Sequence, residues 1–318
     1  MRNPLPLAAT AIVAVCLATN ALAQDVRTIS LPAQLSYPEG IGYDPDGYIY
    51  TASAADGAVV RTELKTARSE VIARTGVLPA QSTETFPNIL GMKVDRAKRL
   101  WLAGGRTGKV FVMDTRSGRL VKTLATPGEG GLLNDLVVTA DAIYVTDTRR
   151  PTLWKIPFKG NDIGQPEAWL DFNGTALQYG DGPNLNGIAK TPNDQTLFVV
   201  QMNKGLLFKI DIATKSITSI DLGGELVTGG DGLELDGQTL YVVRQPAAEI
   251  VTLDLAPGFA AGKVTKRLQH PALLWPATAV KVGHELVVVN SQFNKRSSKD
   301  PVTPFSVIAV PLTRLNRP

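Results

Sequence analysis

The chain has 318 residues, with 33 Lys and Arg against 29 Asp and Glu and a net charge of +4. Its basic residues are scattered, with no stripe or patch, so the electrostatic footprint of a nucleic-acid-binding protein is missing. The 29 glycines, 21 prolines and few helix-like runs favour short strands joined by turns, and the length admits two ordinary domains or one large all-β unit.

Residues 1–23 read as a cleavable export signal. Arg2 is the positive start, Leu7 to Ala18 the largely apolar core, and Ala21-Leu22-Ala23 the cleavage pattern before Gln24. The apolar core is shorter than the roughly 20 residues that span a bilayer, and no later run is longer, so no stable membrane span is expected. Cys16, the one cysteine, lies inside this segment, where the bulky Val15 argues against a lipid anchor. The mature chain, 24–318, then has no disulfide, thiol nucleophile or thiolate metal site. A periplasmic or secreted protein is the expectation, and oligomeric state leaves no mark in the sequence.

The mature chain repeats. Glu39, Leu90, Asn134, Asn186, Asp231 and Ala277 each precede a short apolar strand, at steps of 44 to 52 residues by subtraction. A second strand follows in every unit: Tyr48 to Ala52, Leu100 to Ala103, Ile143 to Thr146, Leu197 to Val200, Leu240 to Val243 and Leu286 to Val289. Third strands such as Val110 to Asp114 and Leu206 to Asp211 follow in most units, and fourth strands at Val121 to Leu124 and Ser216 to Ile220. Four strands at this period predict an all-β, six-bladed β-propeller occupying 24–318 as one domain. Val26 to Leu31 belongs to no unit and is expected to close the last blade beside Ser306 to Val310, hiding two sheet edges. A two-sheet sandwich would explain the alternation but not the even spacing.

In a propeller, first strands line the central channel, so residues at their starts converge. Glu39, Asn134, Asn186 and Asp231 form an all-oxygen set with two carboxylates and two amides. Hard divalent cations such as Ca²⁺ take such ligands, and the absence of sulfur and histidine argues against a zinc or copper preference. The competing account is local: Asn-Gly and Asp-Gly are common turn pairs, and each residue alone can cap a turn. Their shared register across repeats favours a metal site.

The motifs Pro38-Glu39-Gly40, Leu133-Asn134-Asp135-Leu136, Leu185-Asn186-Gly187-Ile188-Ala189 and Gly230-Asp231-Gly232-Leu233 span most of the mature chain. In their order Glu, Asn, Asn, Asp, the chain resembles the gluconolactonase, regucalcin and luciferin-regenerating-enzyme family of six-bladed propellers, and more distantly diisopropylfluorophosphatase. The resemblance implies a catalytic divalent cation at Glu39, Asn134, Asn186 and Asp231. Ca²⁺ is the usual ion, and others such as Zn²⁺, Mg²⁺ or Mn²⁺ also serve. It implies hydrolysis of sugar lactones or related esters with Asp231 as base or nucleophile, and in some members a substrate contact at the position of Asn134. Two departures bear on substrate identity. The fourth blade's second strand ends Val200-Gln201-Met202 rather than in Asp-Ser, and Leu185 and Gly230 stand where proline is usual. Asn184, just after Pro183, is the alternative ligand to Asn186.

Second strands run back to the same mouth, which makes Asp147, Gln201, Arg244 and Asn290 candidates for contacting substrate. Arg244 has two readings, an anchor for negative charge or a structural partner for Asp147. Asp135 and Asp181 are read as surface turn acids, with orienting roles as the alternative. Trp275 and Tyr179 are read as core aromatics or pocket walls. The functional expectation is a metal-dependent lactonase or esterase acting on a small molecule. A non-catalytic ligand- or protein-binding propeller with a structural ion is the alternative, and a phosphotriester hydrolase the third.

Overall fold

The structure is a computed structural model that describes residues 25–78 and 86–316; the signal segment lies outside the described residues. Six antiparallel sheets follow one another along the chain; each is a blade, and in all but blades 3 and 6 the four strands lie side by side in sequence order. The inner strands of blades 1 to 6 are Pro38–Asp44, Met92–Val94, Leu133–Val138, Leu185–Lys190, Gly230–Asp236 and Pro276–Val282. Blade 3 carries an extra two-residue strand, Asp162–Ile163, paired to its third strand. The helical elements among the described residues are two short pieces, Phe293–Lys295 and Leu312–Leu315.

Closure is as the sequence predicts. Arg27–Ser30 pairs antiparallel with Ser306–Pro311, with Ile29 opposite Val307, and becomes the outer strand of blade 6. The Leu31 amide extends the ladder to the Phe305 carbonyl at 2.7 Å. The pairing covers the edge of Ser306–Pro311 that would otherwise be open and joins the chain's first strand to its last blade.

The core lies between blades. Successive side chains on a strand face opposite sides of its sheet. In blade 4, Leu197 and Val199 therefore pack toward blade 3, while Phe198 and Val200 pack toward blade 5. The same alternation places one apolar cluster at each of the six junctions, the last joining Ile41 and Ile49 of blade 1 to Val287 and Val307 of blade 6. Full burial of each such side chain contributes about 1.5–3 kcal/mol. Those junctions hold the inner strands at fixed distance from the axis.

Close approach at the axis depends on glycine. A Cβ on Gly187 would lie 2.1 Å from the backbone oxygen of Asp231, and one on Gly40 would lie 2.2 Å from that of Leu90. Gly187→Ala should therefore cost about 3 kcal/mol or more, since only the backbone of the next blade can yield. Gly237→Ala, at a turn with φ +63° and open space around it, should cost only the left-handed penalty of about 1–2 kcal/mol. Chemical denaturation of both variants measures the difference, and equal losses would contradict this account of the axis.

Candidate active site at the channel mouth

Every site residue taken from the repeat sits at the same irregularity. Between the pairs Pro38–Ser53 and Ile41–Thr51, Glu39 and Gly40 stand opposite Ala52 alone. Asn134 with Asp135, Asn186 with Gly187, Asp231 with Gly232, and Ala277 with Thr278 are doubled in the same way in their blades. An inserted residue of this kind breaks the ladder and re-aims a side chain. Blade 2 has Leu90 at this register, where the Leu90 amide donates to the Ala103 carbonyl at 2.9 Å. The polar members of the ring thus come from blades 1, 3, 4 and 5.

All four are buried, with 2–6 % of their surface exposed. Three of them nonetheless carry an oxygen with no hydrogen-bond partner: Glu39 Oε2, Asn134 Oδ1 and Asp231 Oδ1. For Asn134 the cause is visible. Its Nδ2 donates to the Thr148 hydroxyl at 3.0 Å, and that hydroxyl donates to the Leu185 carbonyl at 2.7 Å, which fixes the amide and leaves its oxygen unmet. Asn186 donates to the Met202 sulfur at 3.3 Å, and its side chain favours the ionised form of Asp231. Buried acceptors without donors carry a desolvation penalty of about 1–3 kcal/mol each, more when charged.

The carboxylates feel that penalty as a raised affinity for protons. Glu39 is pushed well above the usual carboxylate range, first by burial, then by the charges of Asp231 and Asp135; Lys93 and a hydrogen bond with Thr278 oppose this. Asp231 is raised likewise by burial and by Asp135, against the pull of its hydrogen bond with Asn186. Among the described residues no three His, Cys, Asp or Glu side chains form a metal-binding group. The donors here are two carboxylates and two amides, the oxygen-only chemistry that hard cations require.

Asp135 differs from its reading as a surface turn acid. It is 2 % exposed and occupies the slot that blades 1, 2, 4 and 5 fill with glycine. Its Oδ1 accepts from the Leu136 amide at 2.8 Å and its Oδ2 from the Ile188 amide at 3.3 Å, which ties blade 3 to blade 4 beneath Asn186. Asp181 is exposed. Asn184 is committed to its own loop: its Oδ1 accepts from the Gly180 amide at 2.9 Å and from Gln201 Nε2 at 3.1 Å, and its Nδ2 donates to the carbonyls of Gly180 and Gly182. Asn186, not Asn184, stands on the ring.

The residues ending the second strands pair with the residues just before the ring, and most are engaged there. Asp147 takes Arg150 Nε at 2.6 Å and the Trp154 indole at 3.2 Å. Arg244 binds Glu249 and the Thr228 carbonyl, so its partner is not Asp147. Asn290 accepts from the Leu274 amide at 2.9 Å and donates to the Ala272 carbonyl and the Ser306 hydroxyl. Gln201 keeps Oε1 unpartnered in full burial. Tyr179 donates to the Asp147 carbonyl at 2.5 Å and stacks on Phe172, whereas the Trp275 indole nitrogen is buried without a partner.

Further along the channel, burial pushes Glu234 up to about 7 from its usual 4.5, while Lys93 and the Lys281 amide pull the other way. A carboxyl that ionises near 4.5 when unfolded and near 7 when folded carries no penalty below 4.5; the penalty grows between those values and is complete above 7. Glu234→Gln should therefore raise the melting temperature at pH 8 by a few degrees and not raise it at pH 4. Thermal melts across that range read the effect, and a pH-independent difference would contradict it.

A family model described as strictosidine synthase-like, N-terminal, matches residues 17–62. No curated protein sequence matches the chain. Solved structures share the fold over nearly their whole length. The major allergen Mala s 1 of Malassezia sympodialis is 13% identical, with 93% of this chain and 98% of that chain covered and a TM-score of 0.68. The PQQ-bound aldose sugar dehydrogenase of Streptomyces coelicolor is 14% identical, with 90% and 98% covered and a TM-score of 0.64. Virginiamycin B lyase of Staphylococcus aureus is 11% identical, with 90% and 98% covered and a TM-score of 0.59. At such identities the likeness is one of fold alone, and the family-model match covers only a short N-terminal stretch of the chain.

Proposed function

We propose that this propeller is a divalent-cation-dependent hydrolase of lactones or related esters, with its reaction centre at the channel mouth. The observation that carries this reading is the set of three buried oxygens without partners, on Glu39, Asn134 and Asp231, at one register of three blades. Folding does not aim several acceptors at one axis and leave them unmet without a cost that a bound group can offset. The donor set fits Ca²⁺ or another hard dication, held by Glu39, Asn186 and Asp231, with Asn134 as a fourth ligand or a substrate contact. When bound, the cation supplies Lewis-acid polarisation of the substrate carbonyl and stabilises the charge that develops on its oxygen.

The remaining work falls to side chains. Asn186 favours the ionised form of Asp231 that the chemistry needs. Asp231 either takes a proton from the water that adds to the carbonyl carbon or attacks that carbon itself. As base it passes that proton to the departing oxygen as the carbon–oxygen bond breaks. As nucleophile it displaces the alkoxide to form an acyl anhydride, which water then cleaves, its hydroxyl going to the acyl carbon, its proton to the alkoxide, and the Asp231 carboxylate leaving free. Thr148 holds Asn134 with its oxygen free to meet ligand or substrate. Burial of the ring keeps competing water away and strengthens each of these interactions.

Assays of aldonolactones and aryl esters, with chelator and with added Ca²⁺, test the reading. Hydrolysis should vanish with chelator and return with the ion. Asp231→Asn should keep the melting behaviour of a folded propeller while kcat falls by about a thousandfold or more. Full turnover in that variant would remove Asp231 from the chemistry. Bound ion without hydrolysis of any ester would leave a binding propeller instead.

A further inference from the structure

One charged group in the channel has no part in the chemistry above. Lys93 lies on the inner strand of blade 2, Met92–Val94, and its side-chain nitrogen is buried with no hydrogen-bond partner. Blade 2 is also one of the two blades that bring no oxygen to the ring, since Leu90 stands at that register. An ammonium shut away from both water and acceptors is costly, and it persists where surrounding charge offsets the loss of hydration.

That charge is present on several sides. Asp135 lies against the backbone two residues before Lys93, with its Oδ1 2.4 Å from where a Cβ on Gly91 would stand. Glu234 shares with Lys93 the wall of a cavity of about 290 Å³, otherwise lined largely by apolar residues such as Val137, Ile188 and Leu233. Glu39, Asp135 and Glu234 all experience Lys93 as a neighbouring positive charge that favours their ionised forms. The other lysines near that cavity are engaged elsewhere, Lys190 with Asp194 and Lys281 with Asp236. One strand thus contributes a cation where its neighbours contribute acids.

We propose that Lys93 is the internal counter-ion of the channel, balancing its carboxylates when no ion is bound and limiting how tightly the ring takes up a dication. The second half rests on the cation site proposed above; the first does not. Without an ion, the ammonium offsets the mutual repulsion of Glu39, Asp135, Asp231 and Glu234. With a dication on the ring, the same charge opposes it, so affinity is held below what the carboxylates alone would give.

The test uses the full mature chain with Lys93→Met and Lys93→Gln, two neutral side chains of different shape, and Lys93→Arg, which keeps the charge. Melting temperature is read in chelator and in Ca²⁺, and Ca²⁺ affinity by titration calorimetry. Both neutral variants should melt about 5 °C lower in chelator, bind Ca²⁺ on the order of tenfold more tightly, and recover their melting temperature once the ion is added. The arginine variant should keep the parental affinity. Neutral variants that melt at or above the parent in chelator would overturn the counter-ion. Unchanged affinity in them would overturn its coupling to the ring. Absence of Ca²⁺ binding by the parent contradicts the cation site itself, and the melting data in chelator then decide the role of Lys93 alone.

Discussion

The structure depends on one backbone irregularity repeated around an axis. In blades 1, 3, 4, 5 and 6 the inner strand carries one extra residue at its start. The doubled pair puts one side chain on the ring and gives the next position to the neighbouring blade. Glycine at that next position in blades 1, 2, 4 and 5 lets backbones touch. The two departures do different work: Asp135 accepts from the Ile188 amide across the junction, and Thr278 favours the ionised form of Glu39. Convergence of polar groups and closure of the ring therefore have the same geometric origin.

Such a ring is unfavourable by itself. Glu39 and Asp231 are desolvated; the charges of Asp231 and Asp135 raise the proton affinity of Glu39, and that of Asp135 raises the proton affinity of Asp231. The apolar junctions between blades stabilise the inner strands strongly enough to hold these groups together. Fold stability and site strain are thus separated in space, the first residing between blades and the second at the axis. Sites that carry chemistry are where such local conflicts collect.

Much of this was legible in the residues because repetition marks it. The ring register could be read by aligning Glu39, Asn134, Asn186 and Asp231, since each precedes a strand of fixed pattern. The closing strand was legible as a segment, Val26 to Leu31, left over after six units were counted. What escaped was whatever depends on facing. Asp135 looks like half of an Asn-Asp turn until the bulge shows that it lies inside. Asp147 and Arg244 look like mouth residues, but the hairpin turns that follow them supply nearer partners, Arg150 and Glu249. Lys93 leaves no mark, because a three-residue strand is too short to declare which of its faces looks inward.

Diffraction from crystals soaked in Mn²⁺ or Ca²⁺, with the ion located by its anomalous signal, tests the central claim most directly. A single site on the channel axis, with Glu39, Asn186 and Asp231 oxygens at about 2.0–2.6 Å, is the result this account predicts. An ion bound elsewhere with those oxygens still unmet, or no ion at saturating concentration, would contradict it.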